Sequence, residues 1–129
     1  MIAATHALIY ADDADATRAF LRDVLGWENV DAGDGWLIFA LPPAELGVHP
    51  ADEKRQSGTH ALSLMCHDIK ETMRELEAKG AEFTMPVTDA GFGLITHMKV
   101  PGGGEIGLYE PKHLSPLEEF DARPSPDRD

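Results

Sequence analysis

At 129 residues the chain has the length of one ordinary domain, and 43% hydrophobic with 26% charged residues is the balance of a folded, soluble chain. Eleven Lys and Arg against 23 Asp and Glu give 11 − 23 = −12, which opposes nucleic acid as a partner, because its phosphates need cationic side chains. The single cysteine, Cys66, excludes a disulfide framework and a thiolate zinc cluster, and no apolar run reaches the roughly 18 residues of a membrane span or resembles a signal segment, so the expectation is a cytoplasmic protein with no membrane partner.

Residues 7–10 form a short apolar run that predicts a strand. Asp12, Asp13 and Asp15 then offer caps for a helix carrying Phe20, Leu21, Val24 and Leu25, with Gly26 as its stop. Short strands follow at 27–30, 36–41 and 46–49, separated by Gly33-Asp34-Gly35 and by Pro42-Pro43. Residues 51–58 are a polar linker. A second apolar run, 61–66, leads to Asp68, whose pairing with Glu71 three residues on is capping-box-like. Ile69, Met73 and Leu76 fall at i, i+4 and i+7, one helix face, and Gly80 ends that helix. Strands are predicted at 82–85, 94–100 and 105–109, with Pro101-Gly102-Gly103-Gly104 as a hairpin turn. A phosphate loop needs a helix after its glycines, and here a strand follows. From 114 onward the acids with Pro116, Pro124 and Pro126 predict a loose tail, 114–129.

The order of elements repeats. Thr5-His6-Ala7-Leu8 recurs as Thr59-His60-Ala61-Leu62, and both the histidines (60 − 6 = 54) and the helix stops (80 − 26 = 54) share one offset. The last strands echo too, Glu45-Leu46-Gly47-Val48-His49 against Glu105-Ile106-Gly107-Leu108-Tyr109. The chain reads as an α+β domain, 1–113, of two tandem βαβββ modules, 1–50 and 59–113, forming a curved mixed sheet around a cavity. Modules paired about a pseudo-twofold axis would aim His6 and His60 at one space. Strand alternation sets His6, Leu8 and Tyr10 on one face and Ala7 and Ile9 on the other.

This two-module pattern, with its paired first-strand histidines and final glycine-rich hairpin, resembles the vicinal oxygen chelate superfamily of glyoxalase I, extradiol dioxygenases and fosfomycin- and bleomycin-resistance proteins. The resemblance covers residues 1 to about 112. It implies a small-molecule ligand or substrate, a homodimer, and a divalent metal (zinc, nickel, manganese or iron) with His6 and His60 as ligands. Metal-using members commonly carry a glutamate where this chain has Gly107, and the matching position of the first module, Gly47, is empty as well. By strand parity His49 faces the same side as Gly47, so it is the candidate third ligand, while Glu105 and Tyr109 share parity with Gly107 and are the candidate proton carriers. Two functions stay open: a glyoxalase-like metal-dependent enzyme of lyase, isomerase or dioxygenase type acting on an oxygen-chelating substrate, and a metal-free protein that sequesters a ligand or drug. The repeated histidines favour the first, the two missing carboxylates and the acidic charge the second.

The remaining notable residues have plainer expectations. His67, beside the Asp68 cap, reads as local structure, His97 could line the cavity but fits a surface or core place better, and His113 has no motif around it. Cys66 reads as a small buried apolar residue. Trp36 and Phe92, flanking glycines in loops, are the expected pocket walls.

Overall fold

The computed structural model describes residues 4, 6–51, 53 and 57–120. Two ten-residue helices, α1 (Ala14–Asp23) and α2 (Ile69–Ala78), start as the sequence predicts: Asp13 accepts from Ala16 N and Asp68 from Glu71 N, each at 3.0 Å. Both end before a left-handed glycine, Gly26 at φ 70° and Gly80 at φ 99°, the conformation that lets Ala81 N turn back to Leu76 O at 3.0 Å.

The strands are β1 (Asn29–Asp31), β2 (Leu37–Phe39), β3 (Ser63–Met65), β4 (Thr88–Asp89), β5 (Gly93–Lys99) and β6 (Glu105–Pro111). β1 and β2 form an antiparallel pair, and the other four form a mixed sheet in the order β3-β6-β5-β4. Within it β3 runs parallel to β6, while β5 is antiparallel to both β6 and β4. An α+β domain with a mixed sheet is therefore present, and the second half ends in its expected hairpin, but the strand expected at 82–85 is reduced to one bridge between Phe83 and Met98, with the short β4 formed at Thr88–Asp89 instead.

The first half departs from that plan. The segments matching β3 and β6, residues 6–10 and 45–49, form no strand. Their apolar side chains stand in solvent, with Tyr10 and Leu46 each 89% exposed and Val48 92%. Alternation marks which side of a segment is apolar but not which backbone it will pair with, and among the described residues these two segments meet no such backbone.

The core nevertheless crosses the halves. Phe20 and Leu21 of α1 cluster with Met98, Val100 and Ile106 of the β5–β6 hairpin, and a second cluster joins Cys66, Ile69 and Leu108. The hairpin turn clasps the start of α1: Asp13 N donates to Gly102 O at 3.2 Å, and the buried Thr17 hydroxyl donates to Pro101 O at 2.8 Å. This explains the glycine run better than a turn alone does. Gly102 has φ 77°, and any Cβ there would overlap the Asp13 carbonyl.

Residues 114–120 also reach back to the domain. Ser115, 2% exposed, donates to Glu45 Oε2 at 3.0 Å. Further on, His67 stacks on Phe120 with ring centroids 4.4 Å apart, and its Nε2 lies 2.9 Å from Glu119. Residues 121–129 of the expected tail lie outside the described residues.

Candidate functional site

A row of three residues crosses the sheet. Ser63 of β3 stands opposite Gly107 of β6, and Gly107 stands opposite His97 of β5. Residues in one row share a face, and so does a residue two along the strand. Glu105 is therefore diagonal to His97, and its Oε2 lies 3.5 Å from His97 Nδ1, with both side chains about half exposed. Gly107 contributes no side chain to this face, and the Ser63 hydroxyl leans into the space a Cβ would take.

The row opens on a cavity of about 450 Å³. His60, Ala61 and Leu62, leading into β3, form one side, and Val100 and Gly103 of the hairpin turn close one end. Leu8 and Ile9 of the first half supply an apolar wall, with Ile106 beneath. The cavity thus combines apolar residues with His60, Ser63, His97 and Glu105, and among the described residues no Lys or Arg lines it.

Of the residues singled out from sequence, His60 and Glu105 reach this cavity. His6 is exposed and lies outside its lining. His49 is exposed too, its Nδ1 2.7 Å from Pro50 O. A divalent metal would need at least three donors within reach of one point. Among the described residues no three of His, Cys, Asp and Glu are so placed. Among the described residues His6, His49 and His60 are not grouped around one point.

Tyr109 has the parity of Glu105 but lies four residues on, at the other end of β6. Its hydroxyl donates to Phe92 O at 3.3 Å, and its ring lies edge-on to Phe92 and tilted against His113. Burial, then the nearby Glu45 carboxylate, raises its pKa above the ordinary value. Neither expected pocket wall lines the cavity. Trp36 lies over the Arg18 guanidinium at 5.2 Å, and Phe92 packs against Tyr109. Cys66 is buried as expected, and desolvation pushes its thiol up to about 11.

Sequence reasoning weighed His97 as a cavity residue and ranked a surface or core place above it. Its signal was parity through the hairpin: with Pro101-Gly102-Gly103-Gly104 as the turn, pairing Lys99 with Glu105 sets His97 opposite Gly107.

A family model described as Glyoxalase/Bleomycin resistance protein/Dioxygenase superfamily matches residues 3–113. A superfamily member from Sphaerobacter thermophilus DSM 20745 is similar in structure, with 26% identity and a TM-score of 0.58 over 84% of this chain and 98% of that one. TnmS3, an antibiotic-binding protein from Streptomyces sp. CB03234, is similar at 19% identity and a TM-score of 0.58, covering 87% and 100%. A lactoylglutathione lyase from Agrobacterium tumefaciens is similar at 21% identity and a TM-score of 0.54, covering 83% and 95%. Among curated proteins, none matches the sequence. No described helix is long and apolar enough to cross a membrane.

Proposed function

The chain belongs to the glyoxalase/bleomycin resistance protein/dioxygenase superfamily, and from that premise we propose that it is a small-molecule-binding protein whose ligand occupies the cavity over the Ser63–Gly107–His97 row. The observation that carries this reading is the lining itself: apolar walls with a few convergent polar side chains are the composition of a ligand site. Of the two functions left open by sequence, metal-free sequestration needs only this cavity. Metal-dependent catalysis needs donors that lie apart here, so no step is assigned to a metal. The antibiotic-binding neighbour has the same fold and supports the sequestering reading by analogy.

The protein acts as a homodimer in this reading. Tyr10, Leu46 and Val48 leave two strand-like segments with uncovered apolar side chains, and a second copy of the chain would give both the backbone and the apolar surface they lack. Sedimentation at micromolar concentration should show a dimer, and a monomer at every concentration contradicts this part.

Two measurements test the site. Calorimetry with 4-methylanisole, a neutral apolar compound, should show saturable binding that Ala61→Phe abolishes, because the added ring fills the cavity. Binding unaffected by Ala61→Phe would place the ligand elsewhere. Elemental analysis of protein purified without added metal should find less than one metal per chain. A full equivalent that His60→Ala removes would restore the metal-dependent reading.

A further inference from the structure

The cavity's polar side chains have an order that the binding reading does not use. Glu105 Oε2 faces Nδ1 of His97 at 3.5 Å across the β5–β6 pair. A carboxylate beside one ring nitrogen favours the tautomer that carries its proton there. The lone pair of the neutral ring is then on Nε2, which has no hydrogen-bond partner among the described residues. Beside it, Glu105 keeps a second carboxylate oxygen, and Ser63 and His60 complete the polar lining. Among the described residues the ionisable side chains that line the cavity are His60, His97 and Glu105, with no Lys or Arg.

We propose that His97, held in its Nδ1–H tautomer by Glu105, is the hydrogen-bond acceptor that selects the ligand, and that the cavity takes an apolar compound bearing a donating hydroxyl, such as a phenol or an enol. The ligand hydroxyl donates to His97 Nε2 while its apolar body lies against Leu8, Ile9 and Leu62. Glu105 acts through His97 as a positioning residue. This rests on the cavity being the ligand site, and it adds which chemistry that site prefers.

The other charged groups near the pair belong elsewhere. Lys99, two residues along β5, faces Glu82 at 3.8 Å. Thr84 hydrogen-bonds the His97 backbone oxygen, through its amide at 2.9 Å and its hydroxyl at 3.3 Å, and leaves the imidazole alone.

The test compares 4-methylphenol, which keeps its hydroxyl proton at neutral pH, with 4-methylanisole, its methyl ether, together with an anilide control, 4-methylacetanilide, for donors in general. Calorimetry near neutral pH should give the phenol about tenfold tighter binding than the ether, the ratio expected of one hydrogen bond. In His97→Leu, checked for folding by circular dichroism, the ratio should fall to about one while the ether still binds. An unchanged ratio in that variant overturns the proposal. A long-range proton–nitrogen spectrum reads the tautomer directly: His97 should be Nδ1–H in the wild type and a mixture in Glu105→Gln. A wild-type Nε2–H form overturns the role of Glu105. If all three compounds fail to bind, the ligand-site reading fails with the proposal, and the tautomer spectrum separates the two failures. An anilide bound as tightly as the phenol overturns the preference for a hydroxyl.

Discussion

Ser63 and Gly107 face each other in the parallel β3–β6 register so closely that a Cβ on Gly107 would overlap the Ser63 hydroxyl and stand 3.2 Å from Ser63 Cβ. The glycine that sequence reads as a vacated carboxylate position is thus partly filled from the neighbouring strand. Packing around the empty position has closed, and restoring a side chain there is a steric problem before it is a chemical one.

Gly107→Glu alone should destabilise the domain by about 1–3 kcal/mol. Ser63→Gly in the same chain should recover most of that loss, because the two changes share one space. Urea denaturation of the four chains measures both, and a fully stable single variant would mean that Ser63 yields freely. Only the double variant tests a carboxylate at 107 fairly: placed beside His60, it should bind nickel more tightly than the wild type.

The clasp between the hairpin turn and α1 should be equally sensitive. Gly102→Ala forces a Cβ into the Asp13 carbonyl at a left-handed φ, which should cost about 2 kcal/mol or more. Thr17→Val removes the donor to Pro101 O and should cost about 1 kcal/mol. Chemical denaturation of each variant checks these values, and a neutral Gly102→Ala would contradict the clasp.

The Cys66 thiol should be inert in the folded protein. Its pKa is raised by burial from the ordinary 9.0 to about 11, so at pH 8 it is protonated and shielded from a thiol reagent. A raised folded-state value means that the stability it contributes is complete below pH 9 and is lost as pH rises through about 11. Alkylation at pH 8 should follow unfolding only, and rapid labelling of the native protein would contradict this. Denaturation midpoints should fall between pH 9 and 11, less so in Cys66→Ala.

Residues 114–120 should resist proteolysis because Ser115 and Phe120 tie them down. Ser115→Ala removes the donor to Glu45 and the acceptor for Leu117 N, which should cost about 1 kcal/mol and speed cleavage within the segment. Unchanged cleavage would mean that the tie to Glu45 does not hold it.

Much of the fold was legible because its signals are local. Asp13, Asp68, Gly26 and Gly80 mark both helices, since a cap or a left-handed stop is set by the residue itself. Pairing is not local, so the runs 6–10 and 45–49 carried a strand pattern without the partner a strand needs. The site divided along the same line. His60 was marked by the repeat and Glu105 by parity, whereas His97 enters the cavity only through the register of the β5–β6 hairpin. Trp36 was misjudged because its loop gave no hint of Arg18, which lies on α1 and is brought over the ring by packing.

The proposed site sets ligand against His60 and His97 rather than against the set His6, His49 and His60. Proton NMR of the six imidazole Hε1 signals, each assigned by substitution, follows every histidine during a titration with 4-methylphenol. Saturable shifts are expected at His97 and His60, with His6, His49, His67 and His113 unmoved. Shifts at His6 and His49 together with His60, and none at His97, would contradict it.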